Sequence, residues 1–295
     1  YPKLIYATIS GFGHSGPYKN RPSYDLIAQS MGGIVSLTGQ PKSPPVRAGA
    51  SIGDIGAGLF GKALLLPAIK KEPELQLHTL VTRSGSNAEH NGRKFGFDVQ
   101  ATEESAIWDS DVIKAVVGLT PHNHHASLVK SAIQTSKALF LEKPLCINEE
   151  ELVDLEELAV EAKQLPVIMV GHNRRYSPHV KQLQRWLLHR SNPLVAHLRV
   201  NAGFVPADHW VHSEQEGRSR IVGEMTHFID LLQALTGSSL KRVFAERIGG
   251  DNRSVVNNDN IVVSMKFKEG SVANLTYAAS GDKAFSRESI ELFYE

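Results

Sequence analysis

Gly56-Ala-Gly58-Leu-Phe-Gly61 sets three glycines at the spacing G-x-G-x-x-G and runs directly into a helical segment, Lys62–Lys71. Such glycines permit a tight turn, a close approach of backbone to a pyrophosphate, and close packing of a helix on a strand. The helix N-terminus then offers free N–H groups and the positive end of its dipole. Alone the spacing is a weak signal, because glycine-rich stretches produce it by chance. A repeated strand–helix pattern behind it is what gives it weight.

That pattern is present. Leu77–Thr82 reads as a strand, Asn87–Phe95 as a helix, Val112–Leu119 as an apolar strand and Ala126–Lys137 as a helix with Leu128, Ile133 and the alanines on one face. Ala138–Leu141 is again a strand, Glu149–Lys163 an acidic-faced helix and Pro166–Gly171 a strand. Continuous apolar strands separated by helices imply a parallel sheet covered on both faces. Ser51–Ile55, ahead of the glycines, takes the central position, although it carries Asp54, a carboxylate that is costly to bury without a partner.

After Tyr176 the pattern changes. A helix, Pro178–His189, leads to a strand of alternating polarity, Leu194–Val200. The helix Val222–Thr236 is followed by strands at Val243–Ile248, Ile261–Phe267 and Ser271–Ala278, with Lys268-Glu-Gly270 as a hairpin turn between the last two. The expected fold class is α/β: a Rossmann-type doubly wound parallel sheet, then an α+β domain with an open, largely antiparallel sheet. The expected boundaries are 1–48, a peripheral segment, 49–172, the dinucleotide-binding domain, and 173–295, a substrate-binding and oligomerisation domain cut short at its C-terminus.

An NAD-binding turn of this kind usually has Asp or Glu at the tip of the second strand, for the ribose hydroxyls. Here that tip reads Thr82-Arg83-Ser84-Gly85-Ser86, without an acid. Arg83 and Ser84 suit a 2′-phosphate, so NADP is favoured over NAD.

Bulk composition narrows the alternatives. Of 295 residues, 32 are Lys or Arg and 31 are Asp or Glu, a net charge of +1 that supplies no field for nucleic acid or an anionic membrane. The single cysteine, Cys146, excludes an internal disulfide and fits a reducing, cytoplasmic compartment. No apolar run approaches the ~18–20 residues a membrane span requires. His122, His124 and His125 lack a carboxylate or Cys at ligand spacing, so no metal is expected. The ends look cut: Tyr1 is not Met, and Ser289–Glu295 alternates like a strand without its partner.

Five motifs follow the strands in order: Thr120-Pro-His-Asn-His-His125, Glu142-Lys-Pro144, Gly171-His-Asn-Arg-Arg-Tyr-Ser-Pro178, Asn201-Ala-Gly-Phe-Val-Pro-Ala-Asp-His-Trp210 and Gly223-Glu-Met-Thr-His227-Phe-Ile-Asp230. From about Gly56 to Glu295 the set resembles the glucose–fructose oxidoreductase/inositol dehydrogenase/MocA-type family, most of all its branch fused to alcohol-dehydrogenase-like domains. The resemblance implies an NAD(P)-dependent oxidoreductase acting on a sugar, polyol or nucleotide sugar, with the second sheet mediating a homo-oligomer. Lys143 matches the lysine that orients substrate and cofactor, and His227 the histidine that takes or gives the hydroxyl proton. Both roles make chemical sense, since hydride loss from an alcohol needs a base of near-neutral pKa and an ammonium polarises the oxygen.

The implied cofactor side comprises Gly56, Gly58, Leu59, Phe60, Gly61, Arg83, Ser84, Thr120, Pro121, His122, His125, Glu142 and Lys143. The implied substrate side comprises Asn173, Arg174, Arg175, His209, Trp210 and His227, with Arg174 and Arg175 suited equally to carboxylates of the chain itself. The family commonly has Asp four residues before the histidine, where this chain has Gly223. Glu224 or Asp230 is left to orient His227.

Residues 1 to about 58 resemble something else, a segment of a family III CoA-transferase. Pro2–Pro17, Arg21-Pro-Ser-Tyr-Asp25, Ser36-Leu-Thr-Gly39, Pro44-Pro-Val-Arg and Ile52-Gly-Asp54-Ile-Gly-Ala-Gly58 carry the likeness. In that family the Asp at the place of Asp54 accepts the acyl group. The likeness is expected to stop where the oxidoreductase likeness begins, at Ile55-Gly-Ala-Gly58. The alternatives to an oxidoreductase are therefore an inactive fusion or a CoA-transferase using Asp54.

Overall fold

The computed structural model describes residues 4–9, 50–56, 61–251, 255–282 and 284–295. For 4–9, 50–54, 63 and 64 it describes backbone alone. The chain divides into two compact units between Gly171 and His172, and the first strand, β1 (Leu4–Ile9), belongs to the second unit.

The first unit is a six-stranded sheet built from β2 (Ala50–Ile55), β3 (Leu75–Val81), β4 (Val99–Ala101), β5 (Ile113–Gly118), β6 (Ala138–Leu141) and β7 (Ile168–Val170). Its order is β4-β3-β2-β5-β6-β7, and every pairing is parallel. Alternation along β5 sends Val116 to one apolar cluster and Val117 to another. The first cluster is filled by α3 (Ser105–Trp108), α4 (His125–Thr135) and α5 (Glu149–Glu161), through Ile107, Leu128, Val129 and Leu155. The second is filled by α1 (Leu66–Ile69) and α2 (Gly85–Phe95), through Leu66, Ile69 and Phe95. This is the doubly wound Rossmann arrangement, with β2 at its centre as expected. The strand order reverses between β2 and β5, so a crevice opens at their C-terminal ends.

Local chemistry explains the boundaries. Asn148 accepts the Glu151 N–H at 2.8 Å while Glu151 accepts the Ile147 N–H at 2.8 Å, a reciprocal cap that starts α5. Gly96, at φ 84°, closes α2 by donating to Gly92 O. The helix expected over Lys62–Lys71 is instead a π-turn, Gly61–Leu65, running into the short α1. Pro67 has no N–H to return to the preceding turn, so the regular α ladder cannot pass through it. β4 and α3 were not expected; three and four residues are too few to display a period.

The second unit sets β8 (Val195–Asn201), β9 (Leu240–Arg247), β10 (Asn260–Phe267), β11 (Val272–Ala278) and β12 (Glu288–Phe293) beside β1 in the order β1-β12-β8-β11-β10-β9. Only the β11–β8 pairing is parallel. One face is closed by α6 (Pro178–Leu187) and α7 (Thr226–Thr236), whose Val180, Leu183, Phe228, Leu231 and Leu232 share a core with Leu198, Met265, Leu275 and Ile290. Ser177 caps α6 by accepting the Val180 N–H, and Gly270, at φ 113°, turns β10 into β11.

One expectation is overturned here. The alternation of Ser289–Glu295 predicts a strand lacking its partner, yet β12 pairs on both sides: Ile290 lies opposite Leu198 of β8 and opposite Ala7 of β1. Local periodicity identifies a strand but cannot reveal a neighbour from the far end of the chain. Residues 10–49, including Asp25, lie outside the described residues. Among those described, no helix is long and apolar enough to cross a membrane.

Candidate functional site

The expected phosphate turn begins at the C-terminal end of β2. Gly56 donates to Val81 O at 2.9 Å and holds φ +93°; a Cβ there would sit 2.8 Å from Leu119 O. Only glycine tolerates both that backbone conformation and that approach. At Gly61 a Cβ would fall 2.5 Å from Leu119 Cδ1. Gly58, Leu59 and Phe60 lie outside the described residues, as does the side chain of Asp54.

At the tip of β3, Arg83 is exposed. Ser84 precedes α2, its carbonyl accepting from Thr82 Oγ1 and its hydroxyl 2.8 Å from Ser86 Oγ. Thus a guanidinium and two hydroxyls stand at the strand end where an acid is usual.

β5 and β6 deliver the next group. Leu119 N donates to Ile55 O, and Glu142 N donates to Gly118 O at 3.0 Å, which draws Thr120 and Glu142 alongside the Gly56 turn. His125, fully buried, sets Nδ1 against Pro144 O and Nε2 against Thr120 O, tying the two loops together. A neutral imidazole can donate to only one of them. Burial holds its pKa below the ordinary value, while the two carbonyls pull it up. Pro121 precedes the turn carrying His122, whose ring lies 5.7 Å from that of His125. The Lys143–Pro144 peptide is cis.

Three buried oxygens at this edge, Thr120 Oγ1, Asn123 Oδ1 and Glu142 Oε1, have no hydrogen-bond partner among the described residues. Leaving such atoms unsatisfied costs about 1–3 kcal/mol each. Burial raises the Glu142 carboxyl to about 7, against the opposing pull of the Lys143 ammonium. A hydroxyl-rich ligand supplies the donors these atoms lack, so the edge fits a dinucleotide ribose.

In the second unit, His227 stands on the first turn of α7, buried, its ring edge-on to His172 at 5.6 Å. Asn173 Oδ1 is a further buried oxygen with no hydrogen-bond partner among the described residues. Arg174 grips Glu288 through two N–H groups, Nε at 3.2 Å, and lies 4.4 Å over the Phe228 ring. Arg175 forks onto both oxygens of Asp230, Nε at 2.8 Å. Both arginines therefore face carboxylates of the chain, and Asp230 serves Arg175 rather than His227.

Glu224 is held by Arg220 at 3.0 and 3.2 Å and by the Tyr277 hydroxyl at 2.6 Å. His209 accepts the Val211 N–H, capping the short turn Trp210–His212, and both His209 and Trp210 are exposed. Arg220 and Tyr277 were missed in the sequence. The spacing of Arg220 and Glu224, one helical turn apart, was the available signal.

Comparison with known proteins agrees with both likenesses. Residues 51–172 match the model of the oxidoreductase family with an NAD-binding Rossmann fold, and residues 1–73 match that of CoA-transferase family III. The two overlap over 51–73, so the transferase likeness runs past the expected end near residue 58. The succinate–glutarate CoA-transferase of Agrobacterium fabrum is 43% identical over 68 residues, 23% of this chain and 17% of that protein. The formyl-CoA:oxalate CoA-transferase of Streptomyces coelicolor is 46% identical over 68 residues, 23% of this chain and 16% of that protein. The chain thus spans about a sixth of the length of the transferases it matches.

Among solved structures, an oxidoreductase domain protein from Kribbella flavida superposes with TM-score 0.72 at 19% identity, covering 85% of this chain and 73% of that one. Levoglucosan dehydrogenase in complex with NADH gives 0.70 at 20% identity, covering 83% and 71%. A putative myo-inositol dehydrogenase from Sinorhizobium meliloti 1021 gives 0.69 at 21% identity, covering 83% and 73%. The chain has the fold of these oxidoreductases over more than four-fifths of its length, with an NAD-binding oxidoreductase match at 51–172 and a CoA-transferase family III match at its N-terminus.

Proposed function

We propose that this chain transfers a hydride between a nicotinamide dinucleotide and a carbinol carbon of a sugar, polyol or nucleotide sugar. The observation that carries the reading is the set of unsatisfied buried oxygens on Thr120, Asn123 and Glu142 beside the positive-φ Gly56 turn. When bound, the nicotinamide supplies the hydride acceptor or donor. Gly56, Gly58 and Gly61 make room for the pyrophosphate, and Thr120 and Glu142 hold ribose hydroxyls. His227 takes the hydroxyl proton as the alcohol is oxidised and returns it in reduction. Lys143 keeps an ammonium on the reacting oxygen and the cofactor.

NADP is preferred, in this reading, because Arg83 and Ser84 stand where an acid would bind the unphosphorylated ribose. Fluorescence titration with both dinucleotides tests it: tighter binding of NADP(H) is expected, and clearly tighter binding of NAD(H) would overturn the preference. Binding of neither would favour an inactive fusion. The identity to CoA-transferases favours one further reading, acyl transfer through Asp54. Acylation of Asp54 by an acyl-CoA, read by mass spectrometry, would support it.

The same reading places the protein in the cytoplasm as a homo-oligomer joined through the second sheet. The exposed cross-strand row Phe293, Val195 and Val272 supplies apolar surface for that contact. Sedimentation as a monomer at micromolar concentration would count against it.

A further inference from the structure

Arg220 is the largest fully buried side chain among the described residues, 2% exposed, yet it carries a charge. Its guanidinium spends its donors on three separate pieces of chain. Nη1 donates to Gly203 O at 2.7 Å and reaches Asp259 Oδ2 at 3.4 Å, and Nη2 donates to Ala202 O at 3.3 Å. Nε and Nη2 together clasp Glu224. The fork lies 5.3 Å over the Tyr277 ring, whose hydroxyl bonds the same Glu224.

These contacts join what the sequence separates. Ala202 and Gly203 begin the connection after β8 that carries His209 and Trp210. Glu224 sits in the π-turn Ile221–Met225, which feeds α7 and His227. Tyr277 and Asp259 belong to the sheet side. The same connection folds back on itself at Gly217, where a Cβ would meet the Val211 backbone at 2.5 Å.

We propose that Arg220 is a positioning residue, fixing the His209/Trp210 connection and the start of the His227 helix in one geometry against the sheet. The proposal rests on the oxidoreductase reading for its purpose, though not for its test. A lysine here keeps the charge but presents a single point of donors and cannot bridge carbonyls, carboxylate and ring at once.

The test compares the intact chain with Arg220→Lys and, as a milder variant, Tyr277→Phe, each first shown to melt cooperatively. Hydrogen exchange in peptides spanning 203–217 and 221–227 is expected to rise roughly tenfold or more in Arg220→Lys, as charged hydrogen bonds are lost. Peptides from α6 and β10 are expected to keep their wild-type rates. The ring resonances of His209 and His227, assigned through His→Gln variants, are expected to shift, and that of His197, on the opposite sheet face, to stay. Tyr277→Phe should shift His227 alone. Unchanged exchange and resonances in Arg220→Lys, or loosening spread evenly over the unit with His197 moving as much, would overturn the proposal. Because no substrate enters these measurements, a failed dinucleotide titration is a separate result.

Discussion

Replacing Glu142 by Gln should remove a pH-dependent loss of stability. In the folded chain burial lifts the carboxyl from 4.5 to about 7, while Lys143 opposes the shift. Between those values the folded protein holds a proton that the unfolded chain releases, so stability falls as pH rises. The contribution is fully present below pH 4.5 and is gone above about pH 7. A displacement of about 2.5 units corresponds to about 3 kcal/mol, an upper limit given the partial exposure of the residue. Gln keeps the shape and never ionises. Calorimetric scans at half-unit steps should give matching Tm values near pH 4.5, and a variant melting higher by roughly 5–10 °C at pH 8. Parallel Tm curves for the two proteins across pH 4.5–8 would refute the argument. So would a variant that is less stable at pH 8.

Gly56→Ala should abolish dinucleotide binding, because its Cβ would lie 2.8 Å from the Leu119 carbonyl at φ +93°; an unchanged dissociation constant in a fluorescence titration contradicts this. His227→Ala should lower kcat by roughly 10²–10⁴ with dinucleotide affinity intact, and full turnover on an identified substrate would end its assignment as acid/base. A double-mutant cycle on Arg174 and Glu288, followed by urea unfolding, should give a coupling of about 1–3 kcal/mol for this forked pair; additive losses would show it contributes nothing. Gly217→Ala should raise exchange in 203–217 by disturbing the fold-back at Val211, and unaltered protection there would show the connection yields at no cost.

The parallel sheet could be read from the sequence because its strands are buried on both faces and appear as apolar runs such as Ala138–Leu141. The phosphate turn was equally visible, since its demand for glycine at Gly56 and Gly61 is written in residue type. Elements without a full period, β4 and α3, were not. Neither was the Arg220 node, because burial of a guanidinium depends on partners such as Asp259, distant in the chain and unmarked by any local pattern. The two substrate-side arginines illustrate the same limit. Nothing near Arg174 announces Glu288, and the choice between a ligand and an internal carboxylate is made by the tertiary fold.

The pairing of β1 with β12 has a consequence for how the molecule comes together. Ile9 lies opposite Glu288 and Leu4 opposite Phe293, so two strands separated by almost the whole of this sequence are neighbours in one sheet. Until Glu288–Phe293 has been made, the backbone donors and acceptors of Leu4–Ile9 lack their β12 counterpart. The entropy of closing so long a loop grows only slowly with length, so the delay is one of timing more than of equilibrium. In that interval the free strand is open to other edges, including β12 of another chain whose own β1 has not yet docked, which would link two chains by exchange of one strand.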